Sequence, residues 1–128
     1  MIVYPDIGYN SFISLDDAVA YFKTRLHSDE FLSQGWNVQE PALITAYRSI
    51  NELDLTIDPT EAAQIQALKN AQCEQALHEI KEDLDSQNIN SFILMGIKTT
   101  KSELPRYSQR ALAILRPYIS APICQVVR

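Results

Sequence analysis

Apolar residues recur at spacings of three and four in several stretches of the chain, which is the period of one face of an α-helix. The first stretch follows Ser14, whose hydroxyl can accept a hydrogen bond from the free amide of residue 17 at a helix start. Asp16 and Asp17 place negative charge in the first turn, where the helix dipole favours it. We therefore expect a helix from Leu15. Its predicted inward residues are Leu15, Ala18, Val19, Phe22 and Leu26.

A short helical turn and a second helix are predicted next. Ser28 starts a second capping pattern, which predicts a turn through Leu32 before a break at Gly35. The second helix is expected from about Pro41 to Leu53, because proline is tolerated in a first helical turn, where its missing N–H has no partner to lose. Its predicted inward residues are Leu43, Ala46, Tyr47 and Ile50.

The longest predicted element opens at Pro59 and Thr60 and runs to about Leu84 without glycine or proline. At about 100° per residue its residues separate into an apolar and a polar face. The predicted packed face holds Ala62, Ile65, Cys73, Ala76, Leu77, Ile80 and Leu84. The predicted solvent face holds Gln64, Glu74, Gln75, His78 and Glu82.

Residues 85–107 show no helical period, so either an irregular extended loop or, over 91–99, a short β-hairpin is expected there. Ser108 should cap a last helix that Pro117 bends or ends, and residues 120–128 form a tail. The inward face of that helix is Ala111, Leu112 and Leu115. The sequence therefore predicts a mainly α fold: one domain over 1–128, a small bundle of about four or five helices around one long helix.

Length and composition support a single folded domain. The chain has 128 residues, 46% hydrophobic and 21% charged, which is typical of a globular protein. No run approaches the roughly 20 apolar residues of a membrane-spanning helix, and the N-terminus lacks the pattern of a secretory signal. We expect a protein made inside the cell, outside any membrane. Cys73 and Cys124 should then be reduced and buried, not paired in a disulfide.

Charge divides the chain into two parts. Residues 1–95 hold 5 Lys and Arg against 15 Asp and Glu, a net −10, whereas residues 96–128 hold 6 against 1, a net +5. The candidate interface residues of the basic part are Lys98, Lys101, Arg106, Tyr107, Arg110, Arg116, Tyr118 and Arg128. Three interpretations remain open: a solvated helix face, a docking surface for an acidic neighbour, or a contact with nucleic-acid phosphates.

Residues that carry chemistry are sparse. His27 and His78 have no partner at metal-ligand spacing, and the three scattered glycines do not form a phosphate-binding loop. Asp54 and Asp58, like the first-turn aspartates, are interpreted as helix caps and dipole partners. We expect no enzyme, no metal and no cofactor.

The order of several segments resembles a family of tailed-bacteriophage proteins. These segments are residues 10–22 (NSFISLDDAVAYF), 42–50 (ALITAYRSI), 65–74 (IQALKNAQCE), 96–98 (GIK) and 112–119 (LAILRPYI). Together they resemble, in order, the head–tail connector or adaptor proteins that complete the phage head. Some members of that family are also labelled DnaT-like single-stranded-DNA-binding proteins. The chain departs from the family at residues 55–59, where relatives carry a Trp-Pro segment.

The resemblance implies a structural virion protein at the head–tail neck, assembled in the host cytoplasm. Its subunits would form a dodecameric homo-oligomeric ring that binds the portal protein and receives the next neck, stopper or tail-terminator protein. Genome double-stranded DNA would pass through the channel without specific binding, which an acidic wall favours because it repels phosphates. The alternative that the family label implies is a single-stranded-DNA-binding replication accessory protein.

Overall fold

The computed structural model describes residues 1–94 and 106–119, and side chains within 1–81 and 106–119. The element order is α1 Leu15–Lys23, α2 Asp29–Leu32, α3 Trp36–Asn51, α4 Ala62–Leu94 and α5 Gln109–Leu115, followed by a 3₁₀ turn at Arg116–Tyr118. Across these residues β structure is limited to two isolated bridges, Val3–Ser11 and Leu55–Ile119. The prediction of a mainly helical bundle is confirmed.

Serine side chains fix two of the helix starts as predicted. The Ser14 hydroxyl accepts a hydrogen bond from the Asp17 N–H at 3.1 Å, and the Ser108 hydroxyl accepts one from the Ala111 N–H at 3.2 Å. Ser28 behaves differently, because its hydroxyl donates to the backbone oxygen of Phe22 at 2.6 Å. Ser28 therefore ties the start of α2 back to α1 instead of capping α2.

The predicted start of the second helix is wrong by one and a half turns. Helix α3 begins at Trp36, so Pro41 lies inside it. The first turn forms because the N–H groups of Val38 and Gln39 bond to the Gly35 oxygen at 2.9 and 3.0 Å. Pro41 removes only the bond that the Asn37 oxygen would accept, close to the helix end and on an exposed face where water can replace it.

Helix α4 is longer than predicted and ends at Leu94 instead of Leu84. Residues 85–94 continue the helix because elongation costs little once a helix exists, and no glycine or proline occurs between Ala62 and Gly96. The expected irregular connection is therefore wrong over 85–94, and the hairpin is wrong over 91–94. Residues 106 and 107 are non-helical, as expected, and residues 95–105 lie outside the described residues.

The middle of α4 is the axis of the bundle, with α3 and α5 making the most extensive contacts with it. Every residue from 71 to 77 is buried. One core cluster joins α4 to α1, α2 and α3 around Phe22 and Phe31, which stack at 4.2 Å. A second joins α4 to α3 and α5 around Ile50 and Leu115.

Several burial predictions on the helix faces need correction. Glu74 and Gln75 are buried, because α4 is surrounded by other elements over residues 71–77 and has no solvent face there. Leu26 is 74% exposed, because α1 ends at Lys23 and the chain turns away. Ala62 is exposed at the start of α4. The predicted burial of Cys73, Ala76, Leu77 and Ile80 is confirmed. No helix within the described ranges combines the length and apolar character needed to cross a bilayer.

Candidate interaction surfaces and the polar residues behind them

Gln72 of α4 joins three parts of the chain through one fully buried amide. Its side-chain oxygen accepts a hydrogen bond from the Phe12 N–H at 2.8 Å. Its amide nitrogen donates to the Ser11 hydroxyl at 2.9 Å and to the Leu43 backbone oxygen at 2.8 Å. One buried polar side chain of α4 therefore connects the N-terminal segment and α3 to α4 through hydrogen bonds from which packing excludes water.

Glu74 fastens the end of α1 in the same way. Its two carboxylate oxygens accept hydrogen bonds from Arg25, from Nε at 2.8 Å and from Nη2 at 2.9 Å, and the Tyr21 hydroxyl donates a short third bond. The side chain of Glu74 is only 4% exposed. Burial, and then the hydrogen bond to Glu74, raise the pKa of the Tyr21 phenol, while the hydrogen bond to Glu74 raises the pKa of Arg25. The pair is a fixed structural contact.

Gln75 holds the approach to α5. Its side-chain oxygen accepts from the Ser108 N–H at 2.8 Å, and its nitrogen donates to the Arg106 backbone oxygen at 3.1 Å and to Glu79 at 2.8 Å. Gln72, Glu74 and Gln75 thus each fasten a different segment to α4. Sequence reasoning missed them because helical periodicity assigns polar residues to water.

Five of the eight predicted interface residues fall in the described part of the chain. Arg106, Arg110 and Arg116 are exposed, whereas Tyr107 and Tyr118 are half-buried. The remaining three, Lys98, Lys101 and Arg128, lie outside the described residues. The structure therefore places the three arginines on α5 and on the residues that flank it.

The three arginines follow the solvent side of α5. Arg110 lies inside the helix and Arg116 directly follows it. The small, exposed Ala113 lies between them in the sequence. Arg106 forms an ion pair with Glu52 and lies over the Tyr107 ring, with its guanidinium carbon 5.3 Å from the ring centre. One face of Tyr107 is therefore covered and does not offer an open surface for base stacking. We call Arg106, Arg110 and Arg116 the arginine stripe.

An acidic stripe follows α3, and sequence reasoning missed it. Its first part lies beside the flanks of α5, through the Arg106–Glu52 ion pair and the hydrogen bonds between Thr56 and Tyr118. Between α3 and α4, exposed residues alternate with half-buried apolar ones, as in an extended strand with one face inward. The acidic stripe is defined as Glu52, Asp54, Asp58 and Glu61. Hydrogen bonds from the hydroxyl and N–H of Thr60 lower the pKa of Asp58. The period-two alternation of polar and apolar residues from 52 to 59, with three of the four polar ones acidic, was the signal available in the sequence.

The apolar side of this segment borders a cavity of about 230 Å³. Its lining is Tyr9, Phe12, Ile50, Asn51, Leu53, Leu55, Ile57, Pro59 and Leu68. This lining is apolar apart from the side chains of Tyr9 and Asn51.

An ordered N-terminal loop presents one large apolar side chain to solvent. Ile7 is 99% exposed. The loop is closed by the Tyr4 N–H, which bonds to the Ser11 oxygen at 2.8 Å, and by Tyr9, whose ring packs edge-on against Tyr4 at 5.0 Å. Gly8 makes the turn possible with a φ of 78°. Ile7 is therefore held at a fixed position by a loop that packs on the core.

Trp36 is the second exposed apolar anchor. It is the first residue of α3 and is 69% exposed. Large exposed aromatic side chains held on regular elements are typical of protein–protein contacts. Ile7, Leu26 and Trp36 are the three most exposed large apolar side chains of the described residues.

Residues that could serve metal or thiol chemistry are not assembled in the described part. No group of three or more His, Cys, Asp or Glu residues there could hold a metal ion. Cys73 is a free, buried thiol whose pKa is raised by burial. A thiol in that environment is a poor nucleophile.

Comparison with known proteins adds no relative. No protein-family model matches the chain, and no match was found among curated proteins or solved structures.

Proposed function

We propose that this chain is a head–tail adaptor subunit of a tailed bacteriophage, a structural protein that forms a ring between the portal and the next neck or tail component. The resemblance of its ordered segments to that family motivates the proposal. The structure contributes a physical reason to treat those segments as one unit.

The observation that carries the proposal is that the resembling segments converge in space. Gln72, in the third segment, bonds to Ser11 and Phe12 of the first and to Leu43 of the second. Leu115, in the last segment, belongs to the same core cluster as Phe12. Four segments therefore meet around one helix, as expected if they specify one fold. The segment at 96–98 lies outside the described residues.

A role in assembly also agrees with the surface of the chain. Ile7 and Trp36 are apolar anchors on ordered elements, which is where binding energy concentrates in protein interfaces. The overall charge of −5 suits a channel through which double-stranded DNA slides, because a negative wall does not hold phosphates. These features support a protein that contacts other proteins and tolerates passing DNA.

The test is to produce this chain with the portal protein from the same phage and to examine the mixture by size-exclusion chromatography and electron microscopy. We expect a ring of this chain stacked on the portal ring. Portal rings without added density, with this chain eluting separately, would contradict the proposal.

Two matched variants sharpen the test. Trp36→Ala should lower the bound fraction at least several-fold, because it removes an exposed aromatic anchor without opening the core. Thr45→Ala, an exposed change on the same helix, should leave binding unchanged. Equal binding by both variants would remove Trp36 from the proposed contact.

The alternative function, single-stranded-DNA binding, finds less support on the described surface. The arginine stripe is flanked by the acidic stripe, and Arg106 covers Tyr107. A fluorescence titration with an oligonucleotide at low salt tests it directly. Salt-dependent binding that disappears in an Arg106→Ala, Arg110→Ala and Arg116→Ala variant would favour this alternative over the adaptor.

A further inference from the structure

The arginine stripe and the acidic stripe adjoin on one side of the molecule. Arg106 pairs with Glu52 at one end of this surface. At the other end the Tyr118 oxygen accepts hydrogen bonds from the Thr56 N–H at 2.8 Å and from its hydroxyl at 3.1 Å. A positive strip and a negative strip therefore lie side by side, joined by direct contacts.

Much of the charge on this surface forms no ion pair with the rest of the described residues. Arg106–Glu52 is the one ion pair between the two stripes among the described residues, and Arg110 and Arg116 make none there. Even in that pair the side chains are 61% and 52% exposed. Arg110, Arg116 and Asp54 thus have no ion-pair partner among the described residues.

Apolar residues lie on the inner side of the acidic segment and between two of the arginines. Leu53, Leu55 and Ile57 are half-buried on the inner side of the acidic segment, and Ala113 is exposed between Arg110 and Arg116. A small residue at that position lets another chain approach the α5 backbone closely. A contact here would pair charges and cover Ala113, while Leu53, Leu55 and Ile57 stay packed on the core.

We propose that a second copy of this chain docks on this surface about a two-fold axis, with the arginine stripe of each copy on the acidic stripe of the other. A patch with adjacent positive and negative halves is complementary to itself when rotated by a half turn, which is the requirement of a two-fold interface. The chain as a whole carries −5, so two copies repel each other in most other orientations.

The size of the surface sets the strength of the contact. The acidic segment from 52 to 58 spans about 20 Å at roughly 3.3 Å per residue. Helix α5 with its 3₁₀ turn spans about 15 Å at roughly 1.5 Å per residue. A patch of these dimensions belongs to the small, transient class of interfaces, so the pair should form at micromolar or higher concentration. Because charges dominate it, added salt should weaken it.

This pairing concerns the free chain and goes beyond the adaptor role, so its test needs no portal. Sedimentation equilibrium of the free protein at low salt should show a monomer–dimer equilibrium that shifts to monomer in high salt. An acid-stripe variant, Glu52→Lys with Asp54→Lys and Glu61→Lys, should dimerise at least about ten-fold more weakly. An arginine-stripe variant, Arg110→Glu with Arg116→Glu, should behave likewise.

Mixing the two variants is the decisive step. In a mixed pair the reversed acidic stripe of one copy faces the reversed arginine stripe of the other, so stripes of opposite charge meet at both contacts and we expect dimers to return. The matched control changes Asp6, Asp16 and Asp29 to Lys, which alters the net charge equally on other exposed positions. The control should dimerise as the unmodified chain does, and it should pair with the arginine-stripe variant more weakly than the acid-stripe variant does.

Three results would overturn the proposal: a monomer at every concentration and salt, equal dimerisation by all variants, or no recovery in the mixture. Thermal melts show whether each variant is folded, and a misfolded triple variant is replaced by Asp54→Lys alone, measured in the same way. Loss of portal binding with intact dimers would contradict the adaptor role instead, so the two failures are distinguishable.

Discussion

Arginine and glutamate form two ion pairs in the described part of this chain, and the two pairs differ in environment. Arg25 and Glu74 are 15% and 4% exposed and meet through two hydrogen bonds of 2.8 and 2.9 Å. Arg106 and Glu52 are 61% and 52% exposed. The buried pair cannot lose a member without leaving a charge in the protein interior, whereas water can replace either member of the exposed pair.

The comparison separates residues that hold the fold from residues available to partners. Glu74 belongs with Gln72 and Gln75, which fasten separate segments to α4. Arg106 and Glu52 belong to the surface on which we propose a second copy docks. Variants of the first group should therefore change stability, and variants of the second should change association.

The largest effect is expected for Glu74→Gln. This change keeps the side-chain size but leaves the Arg25 guanidinium without its carboxylate in a poorly hydrated site. We expect a loss of about 3–5 kcal/mol in the free energy of unfolding, measured by urea denaturation. A loss below about 1 kcal/mol would show that water reaches this pair, and the contrast between the two pairs would then fail.

Gln72→Leu should be the next most damaging change. Leucine fits the buried volume, but the Phe12 N–H and the Leu43 oxygen lose their partner. We expect a loss of about 2–3 kcal/mol in unfolding free energy. Gln66→Leu, an exposed change on the same helix, serves as the control and should alter stability by less than about 0.5 kcal/mol.

Tyr21→Phe should cost less and should change the response to alkaline pH. Loss of the hydrogen bond to Glu74 is expected to lower stability by about 1.5 kcal/mol at neutral pH. Folding raises the pKa of this phenol above its ordinary 10.0. The hydroxyl therefore contributes fully to the free energy of unfolding below pH 10.0, and this contribution is lost as the pH rises further. The stability gap between the variant and the unmodified chain should therefore narrow above pH 10.0. A constant gap across that range would contradict this role.

Glu52→Gln should have the smallest effect on stability. The pair that it removes is exposed, so we expect a change below about 0.5 kcal/mol. The same variant should weaken dimerisation about two- to three-fold, because it removes one charge from the acidic stripe. Thermal melts and sedimentation equilibrium on one sample measure both quantities. A large loss of stability without a change in association would reverse the proposed division of roles.

Local signals in the sequence predict the start of two helices because cap chemistry depends on neighbouring residues. Ser14 and Ser108 act as predicted. The start of α3 is not predictable from Pro41, because proline is tolerated further inside a helix when its face is exposed. The end of α4 is not predictable from weak helix formers, since an established helix extends through them until a breaker.

The buried polar residues show what periodicity alone cannot predict. The position of Glu74 on a helical wheel predicts a solvated side chain near His78, yet it is buried with Arg25 and Tyr21. Burial there depends on how many elements surround α4, a property of the whole fold. The charge pattern predicts the exposed arginines of the candidate surface. Their position beside the acidic stripe depends on how α5 packs, which the pattern does not show.

A double-mutant cycle on the two ion pairs tests this division most directly. Arg25→Met and Glu74→Gln, alone and together, give the coupling energy of the buried pair from urea unfolding, and Arg106→Met with Glu52→Gln gives that of the exposed pair. We predict about 3 kcal/mol for the buried pair and less than about 1 kcal/mol for the exposed pair. Equal coupling energies, or a stronger exposed pair, would contradict the assignment of the first pair to the fold and of the second to partners.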